Sequence, residues 1–206
     1  MTNLRRRALI GLAAPVAGAV LAHGDHDHAP QKKWKELPAR EQIRQKHFPN
    51  VLLKAHDGRV LRFYDDLLRG KIVMINFMYI ACGDGTCPLT TVTLRKVQQM
   101  LGPRAGRDVF MYSISLNPEY DTQEALAAYA KAFEVGPGWL FLTGAPADIE
   151  RLRRSLGFYD RDPVADADKT QHVAMVRIGN ERRQLWSMAS ALLSPESMIK
   201  SLESVQ

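Results

Sequence analysis

The chain has 206 residues, enough for one domain with a proper core, and 46% of them are apolar or aromatic, with only two cysteines. Its formal net charge of +6 suggests nucleic acid at first sight, but Arg5, Arg6 and Arg7 lie in an acid-free leader. Without those three, the 28 basic residues fall to 25 against 22 acidic ones, and the near balance argues against a nucleic-acid partner.

Residues 1–22, MTNLRRRALIGLAAPVAGAVLA, read as an export signal: a basic start, an apolar run from Ala8 to Ala22, and small residues with Val20 and Ala22 placed for cleavage. The run contains Pro15 and is short for a bilayer span of about 20 apolar residues, so an uncleaved anchor is the second reading. Arg6-Arg7 also fits a twin-arginine pattern. Either route leads to the periplasm, where disulfides persist.

Residues 23–47 begin HGDHDHAPQKKWKELPAR, polar and proline-bearing, and read as a flexible linker. His23, His26 and His28 could gather a divalent metal weakly, against the plain alternative of a solvated tether.

A folded domain is expected over 48–206. Val51–Leu53 and Val60–Phe63 flank His56-Asp57-Gly58-Arg59, an N-terminal hairpin with Asp-Gly at the turn. Ile72–Ile80 is a near-continuous apolar run, as for a strand buried on both faces. Leu94, Val97 and Leu101 recur at helical spacing before Gly102-Pro103 stops the helix. Val109–Leu116 is a second buried strand, and Asp121 to Glu124 opens a helix with a capping-box-like pattern and the stripe Leu126, Tyr129 and Phe133. A short strand near Trp139–Leu142 precedes a helix with Ile149, Leu152 and Leu156 on one face, and the acidic loop YDRDPVADADKTQ follows. Strands at His172–Ile178 and Gln184–Met188, turning at Gly179-Asn180, lead to a last helix capped by Ser194-Pro195. The order predicts an α/β domain of the thioredoxin type, a central mixed sheet flanked by helices.

Both cysteines, Cys82 and Cys87, fall in FMYIACGDGTCP at the junction between the first buried strand and the helix after it. Four residues separate them. In a continuous helix, positions i and i+5 are about 7.5 Å apart along the axis and rotated by roughly 140°, so the loop must fold back to bring the thiols together, and Gly83 and Gly85 are suited to that. A thiol pair at a helix N-terminus has its thiolate form stabilised, which serves metal binding and disulfide exchange alike. A structural disulfide is the plain alternative, but so small a loop gains little unfolded-state entropy from closure.

FMYIACGDGTCPLT, SISLNPEYDTQEALAAYAKAF, LFLTG and QHVAMVRIGN together resemble the Sco/SenC family of thioredoxin-fold copper-binding proteins over roughly residues 48–203. The resemblance implies that Cys82, Cys87 and His172 bind one copper ion. It also implies a role in assembling the copper centre of cytochrome oxidase, with a cupredoxin-type domain of that enzyme or another copper or thiol protein as partner. Membrane contact is then expected only through an uncleaved leader. Two departures stand out: the family has three residues between its cysteines, and its proline after the first cysteine is Gly83 here. Two sulfurs and an imidazole form a soft, low-coordinate set that suits Cu(I) better than zinc. Two further readings stay open: a thiol-disulfide oxidoreductase cycling Cys82 and Cys87, and a thiol peroxidase.

Other residues carry plainer readings. Asp84 is a turn former or a tuner of the thiols, and Met74 and Met78 are core residues before they are thioether ligands. Asp160, Asp162, Asp166 and Asp168 lack the glycine of a calcium loop and read as solvated surface, as do His47 and His56.

Overall fold

The structure, a computed structural model, describes residues 38–168 and 174–206; the leader, His23, His26, His28 and His172 lie outside the described residues. Seven strands form one mixed sheet: β1 (Leu52–Ala55), β2 (Val60–Arg62), β3 (Ile72–Met78), β4 (Val109–Ser115), β5 (Trp139–Gly144), β6 (Met175–Asn180) and β7 (Leu185–Ser190), in the order β2-β1-β5-β4-β3-β6-β7. β3, β4 and β5 are parallel, and every other pairing is antiparallel. The helices are α1 (Ala39–His47), α2 (Thr86–Leu101), α3 (Gln123–Ala132), α4 (Pro146–Ser155), α5 (Pro163–Ala167) and α6 (Pro195–Glu203).

The unbroken apolar run of β3 follows from burial on both faces. Met74 and Met78 join Leu94 and Val97 of α2, Leu126 of α3 and Met198 of α6 in one cluster. Val73, Ile75 and Phe77 point the other way, onto Phe63, Leu67 and, from α4, Ile149 and Leu152. β4 alternates likewise, with Met111 on the first face and Tyr112 and Ile114 on the second. The architecture is thus the expected thioredoxin-like α/β sandwich. Both clusters and all seven strands fall within residues 48–205, so this part of the chain carries a complete core of its own.

Local differences from the sequence reading have identifiable causes. The hairpin forms with Lys54 opposite Val60 and Gly58 at φ +93° in its turn, but Phe63 leaves the strand and begins a π-helical turn, Phe63–Leu68, that plugs the second face with four buried side chains. α1 occupies part of the stretch assigned to the linker. The β6–β7 connection lies at Glu181–Gln184 rather than Gly179-Asn180. β6 runs on through Asn180, whose side chain donates to the Val205 carbonyl (2.9 Å), and Gly179 leaves room for the Trp186 ring where a side chain would collide. His56 is not a simple surface residue: its Nδ1 accepts the Phe141 N–H (3.1 Å), and burial lowers its pKa. Asp166 departs furthest, as a buried acceptor for the Arg153 guanidinium (2.5 and 2.7 Å). Arg153 lies on the inner side of α4 and needs a carboxylate there, which the acidic loop supplies.

Candidate metal and thiol site

β3 ends at Met78, and the chain is pinned immediately afterwards. The Ile80 N–H donates to the Asp121 carboxylate (3.2 Å), which also accepts the Ser115 hydroxyl (2.6 Å), while Ser115 Oγ accepts the Asn117 N–H (2.9 Å). Asp121 therefore ties the C-terminal ends of β3 and β4 together from a position only 2% exposed. Burial pushes its pKa up, and the bonds from Ser115 and Ile80 oppose that rise. The capping role expected of the segment falls to Thr122, whose side chain accepts the Ala125 N–H.

The loop then folds back on itself. Gly85 donates to the Cys82 carbonyl (3.3 Å) and, at φ +75°, turns the chain into α2, which starts at Thr86. Asp84 Oδ1 accepts both the Thr86 N–H (2.9 Å) and the Cys82 thiol (2.9 Å), so the turn former also touches the sulfur. Cys82 precedes the helix and Cys87 lies in its first turn, with the Cys87 N–H aimed at Cys82 Sγ (3.3 Å). The helical separation of i and i+5 does not apply, because only one of the two residues is helical. Neither cysteine is in a disulfide.

The two thiols sit in different surroundings. Cys82 is partly exposed, whereas Cys87 is 1% exposed and packed into the first core cluster. Burial, reinforced by a hydrogen bond with Cys82, pushes the Cys87 thiol well above its ordinary range. The expectation that the helix N-terminus would favour thiolate on both residues is thus corrected for Cys87: desolvation outweighs the helix end. Tyr79 faces the pair, and burial together with the charge of Cys82 and a hydrogen bond to it pushes its phenol up to about 12. Behind Cys87, the Thr91 hydroxyl bonds to the Cys87 carbonyl (2.9 Å) and to the Tyr129 hydroxyl (3.0 Å).

Tyr79, Thr91 and Asp121 are the neighbours that sequence reasoning missed as parts of this site. A phenol at a strand end, a helical threonine and an acid before a helix carry no local signal of where they point. Met74 and Met78 are core residues, 2% and 1% exposed. Among the described residues no three His, Cys, Asp or Glu side chains are arranged to hold a metal ion, and His172 lies outside them. The donor set among the described residues is two sulfurs with a carboxylate alongside, chemistry that fits a soft monovalent cation or thiol exchange.

The chain matches the family model described as SCO1/SenC over residues 39–206. It is 32% identical over 103 residues to the mitochondrial "Protein SCO1 homolog 1" of Arabidopsis thaliana, a match covering 50% of this chain and 29% of that protein. A "Putative copper-binding protein" of Stutzerimonas stutzeri is 26% identical over 169 residues, covering 82% of this chain and 76% of the relative. Among solved structures, Bradyrhizobium japonicum ScoI with copper bound superposes with a TM-score of 0.60 at 27% identity, covering 75% of this chain and 96% of that one.

Proposed function

The chain belongs to the SCO1/SenC family, and on that premise we propose that it is an exported copper-binding assembly factor that carries copper on Cys82, Cys87 and His172. The observation that supports this most is the fold-back of the loop, which brings Cys82 Sγ to 3.3 Å from the Cys87 amide despite the extra residue between the cysteines. Two relatives whose names mention copper, one a solved structure with copper bound, support the choice of cargo. Delivery to the copper centre of cytochrome oxidase, through a cupredoxin-type domain, and a periplasmic location belong to the same proposal. They rest on family membership and on the leader at residues 1–22.

Transfer would proceed by ligand exchange. Cys82, the more accessible sulfur, is the donor an incoming partner thiolate can displace first, while Cys87 keeps its hold from within the core. The low polarity around Cys87 favours a compact, weakly hydrated cation over free thiolate, because the metal's charge offsets the desolvation that a bare thiolate suffers there.

The asymmetry of the thiols supports a second reading, thiol-disulfide exchange. The Cys82 thiolate would attack a partner disulfide and release one partner thiolate. Cys87 would then attack Cys82 in the mixed disulfide, leaving a Cys82–Cys87 disulfide and a partner reduced by two electrons. An accessible first nucleophile and a buried resolving thiol suit that sequence.

Copper titration separates the two. The reduced protein, stripped of residues 1–30 so that His23, His26 and His28 do not compete, is expected to bind one Cu(I) per chain against a moderate chelator. Cys82→Ser and Cys87→Ser should each abolish that binding, and His172→Ala should weaken it with the stoichiometry retained. If the reduced wild type loses to the chelator yet still reduces a partner disulfide, the oxidoreductase reading replaces the copper one.

A further inference from the structure

The end of the domain away from the cysteine loop carries a pattern of charge that copper or thiol chemistry does not use. β3 and β4 both run from that end toward the loop, and the seven residues of β3 span about 23 Å. There, the starts of β3 and β4 and the β6–β7 turn enclose a cleft of about 370 Å³ whose lining includes Lys71, Arg107, Arg182 and Arg183 over Ile72 and Phe110. Asp108 is the carboxylate in this lining, and its two oxygens are taken by Arg107 (3.0 and 2.8 Å). Among the described residues, no carboxylate pairs with Arg182 or Arg183. The Lys71 ammonium lies 4.6 Å from the Phe110 ring centroid and donates to a backbone carbonyl, that of Asp66. A neighbouring cleft of about 380 Å³ shares Lys71, Arg107 and Phe110 and adds Asp66 together with Arg59, which pairs with Asp57 (2.6 Å).

Apolar side chains project at the same end. Met100 is 50% exposed in the last turn of α2, and Leu185 is 39% exposed at the start of β7. Strand pairing and helix direction put both of them beside the cationic clefts rather than beside the loop: Asn180 is opposite both Ile72 and Leu185, and α2 leads away from the cysteines.

We propose that this face docks on an anionic phospholipid bilayer. Lipid phosphates would sit among Lys71, Arg107, Arg182 and Arg183, with Met100 and Leu185 reaching into the headgroup boundary and the cysteine loop directed away from the membrane. A free phosphate ion would use the cations and leave the apolar rim without a role. A folded acidic protein would call for a continuous apolar centre, whereas single apolar side chains scattered among cations match a lipid interface. This contact is separate from any made by the leader.

The test uses residues 38–206, which hold the complete core, with vesicles of phosphatidylcholine alone or mixed with phosphatidylglycerol, and it needs no copper. The domain is expected to sediment with the mixed vesicles, less so as salt rises, and not with phosphatidylcholine alone. At about fivefold per cation near the surface, the double variant Arg182→Gln, Arg183→Gln should bind roughly thirtyfold more weakly. Lys54→Gln, at the strand position opposite Thr143 near the C-terminal end of β5, should change binding by about twofold or less. Cys82 should stay as open to alkylation on the vesicle as in solution. Equal binding to both vesicle types, an unaffected double variant, or shielding of Cys82 would each overturn the proposal. So would saturable binding of inorganic phosphate without vesicle binding, which would make the cleft a small-anion site.

Discussion

Replacing Asp121 with alanine removes the carboxylate that joins the ends of β3 and β4 beneath the cysteine loop. Two donors lose their acceptor: the Ile80 N–H, bonded at 3.2 Å, and the Ser115 hydroxyl, bonded at 2.6 Å from a fully buried residue. Each orphaned buried donor costs about 1–3 kcal/mol. Against this stands the penalty of keeping an ionised carboxylate in a site only 2% exposed, which the variant no longer carries. The net expectation at neutral pH is a loss of about 2–3 kcal/mol, or roughly 5–10 °C in Tm for a domain of this size.

The direction of the Asp121 pKa shift adds a second signature. Because burial raises the folded-state pKa above the unfolded value of 3.8, the stabilising effect of protonated Asp121 is complete below that value and is lost as pH rises through the folded pKa. Asp121→Ala should therefore cost more near pH 4 than at pH 7. Urea unfolding of wild type and variant at both pH values measures the difference. Since Ile80 is two residues before Cys82, the variant should also form the Cys82–Cys87 disulfide more slowly under mild oxidation. A loss below about 1 kcal/mol at both pH values would mean that the two donors find other acceptors, and the claim that Asp121 sets the entry to the loop would fail.

Two further outcomes follow from buried groups. Asp166→Ala should lower stability by about 2–3 kcal/mol, because the Arg153 side chain, 5% exposed, loses one of its two carboxylate partners and keeps only Glu150 (2.8 and 2.9 Å); denaturant midpoints of the single variant and of Asp166→Ala combined with Arg153→Met check this, the double variant recovering most of the loss. For His56, whose pKa burial lowers below 6.5, the contribution to stability is present above pH 6.5 and is lost as pH falls through the folded pKa. His56→Gln, which keeps an acceptor for the Phe141 N–H, should flatten that part of the pH–stability curve between pH 7 and 5, and an unchanged slope would place the titration elsewhere.

The layout of the domain was legible because its signals are local. Alternation and run length depend on which faces of a strand meet neighbours, so Ile72–Met78 and Val109–Ser115 announce burial on both sides. Asp57-Gly58 sets its own hairpin, Gly102 ends its own helix, and the cysteines are placed at a strand-to-helix junction by the elements on either side of them. The interior of the site was not legible in this way. Spacing alone made Cys82 and Cys87 equivalent thiols, and it made Asp121 a helix cap and Asp166 a solvated acid. Tertiary packing separates them, placing Cys87 in the core, leaving Cys82 partly exposed, and turning Asp121 and Asp166 inward to donors that lie 41 and 13 residues away in the chain. Secondary structure follows from short-range sterics and periodicity. Burial, and with it the protonation and reach of each polar group, depends on which distant segment covers it, and no local pattern encodes that.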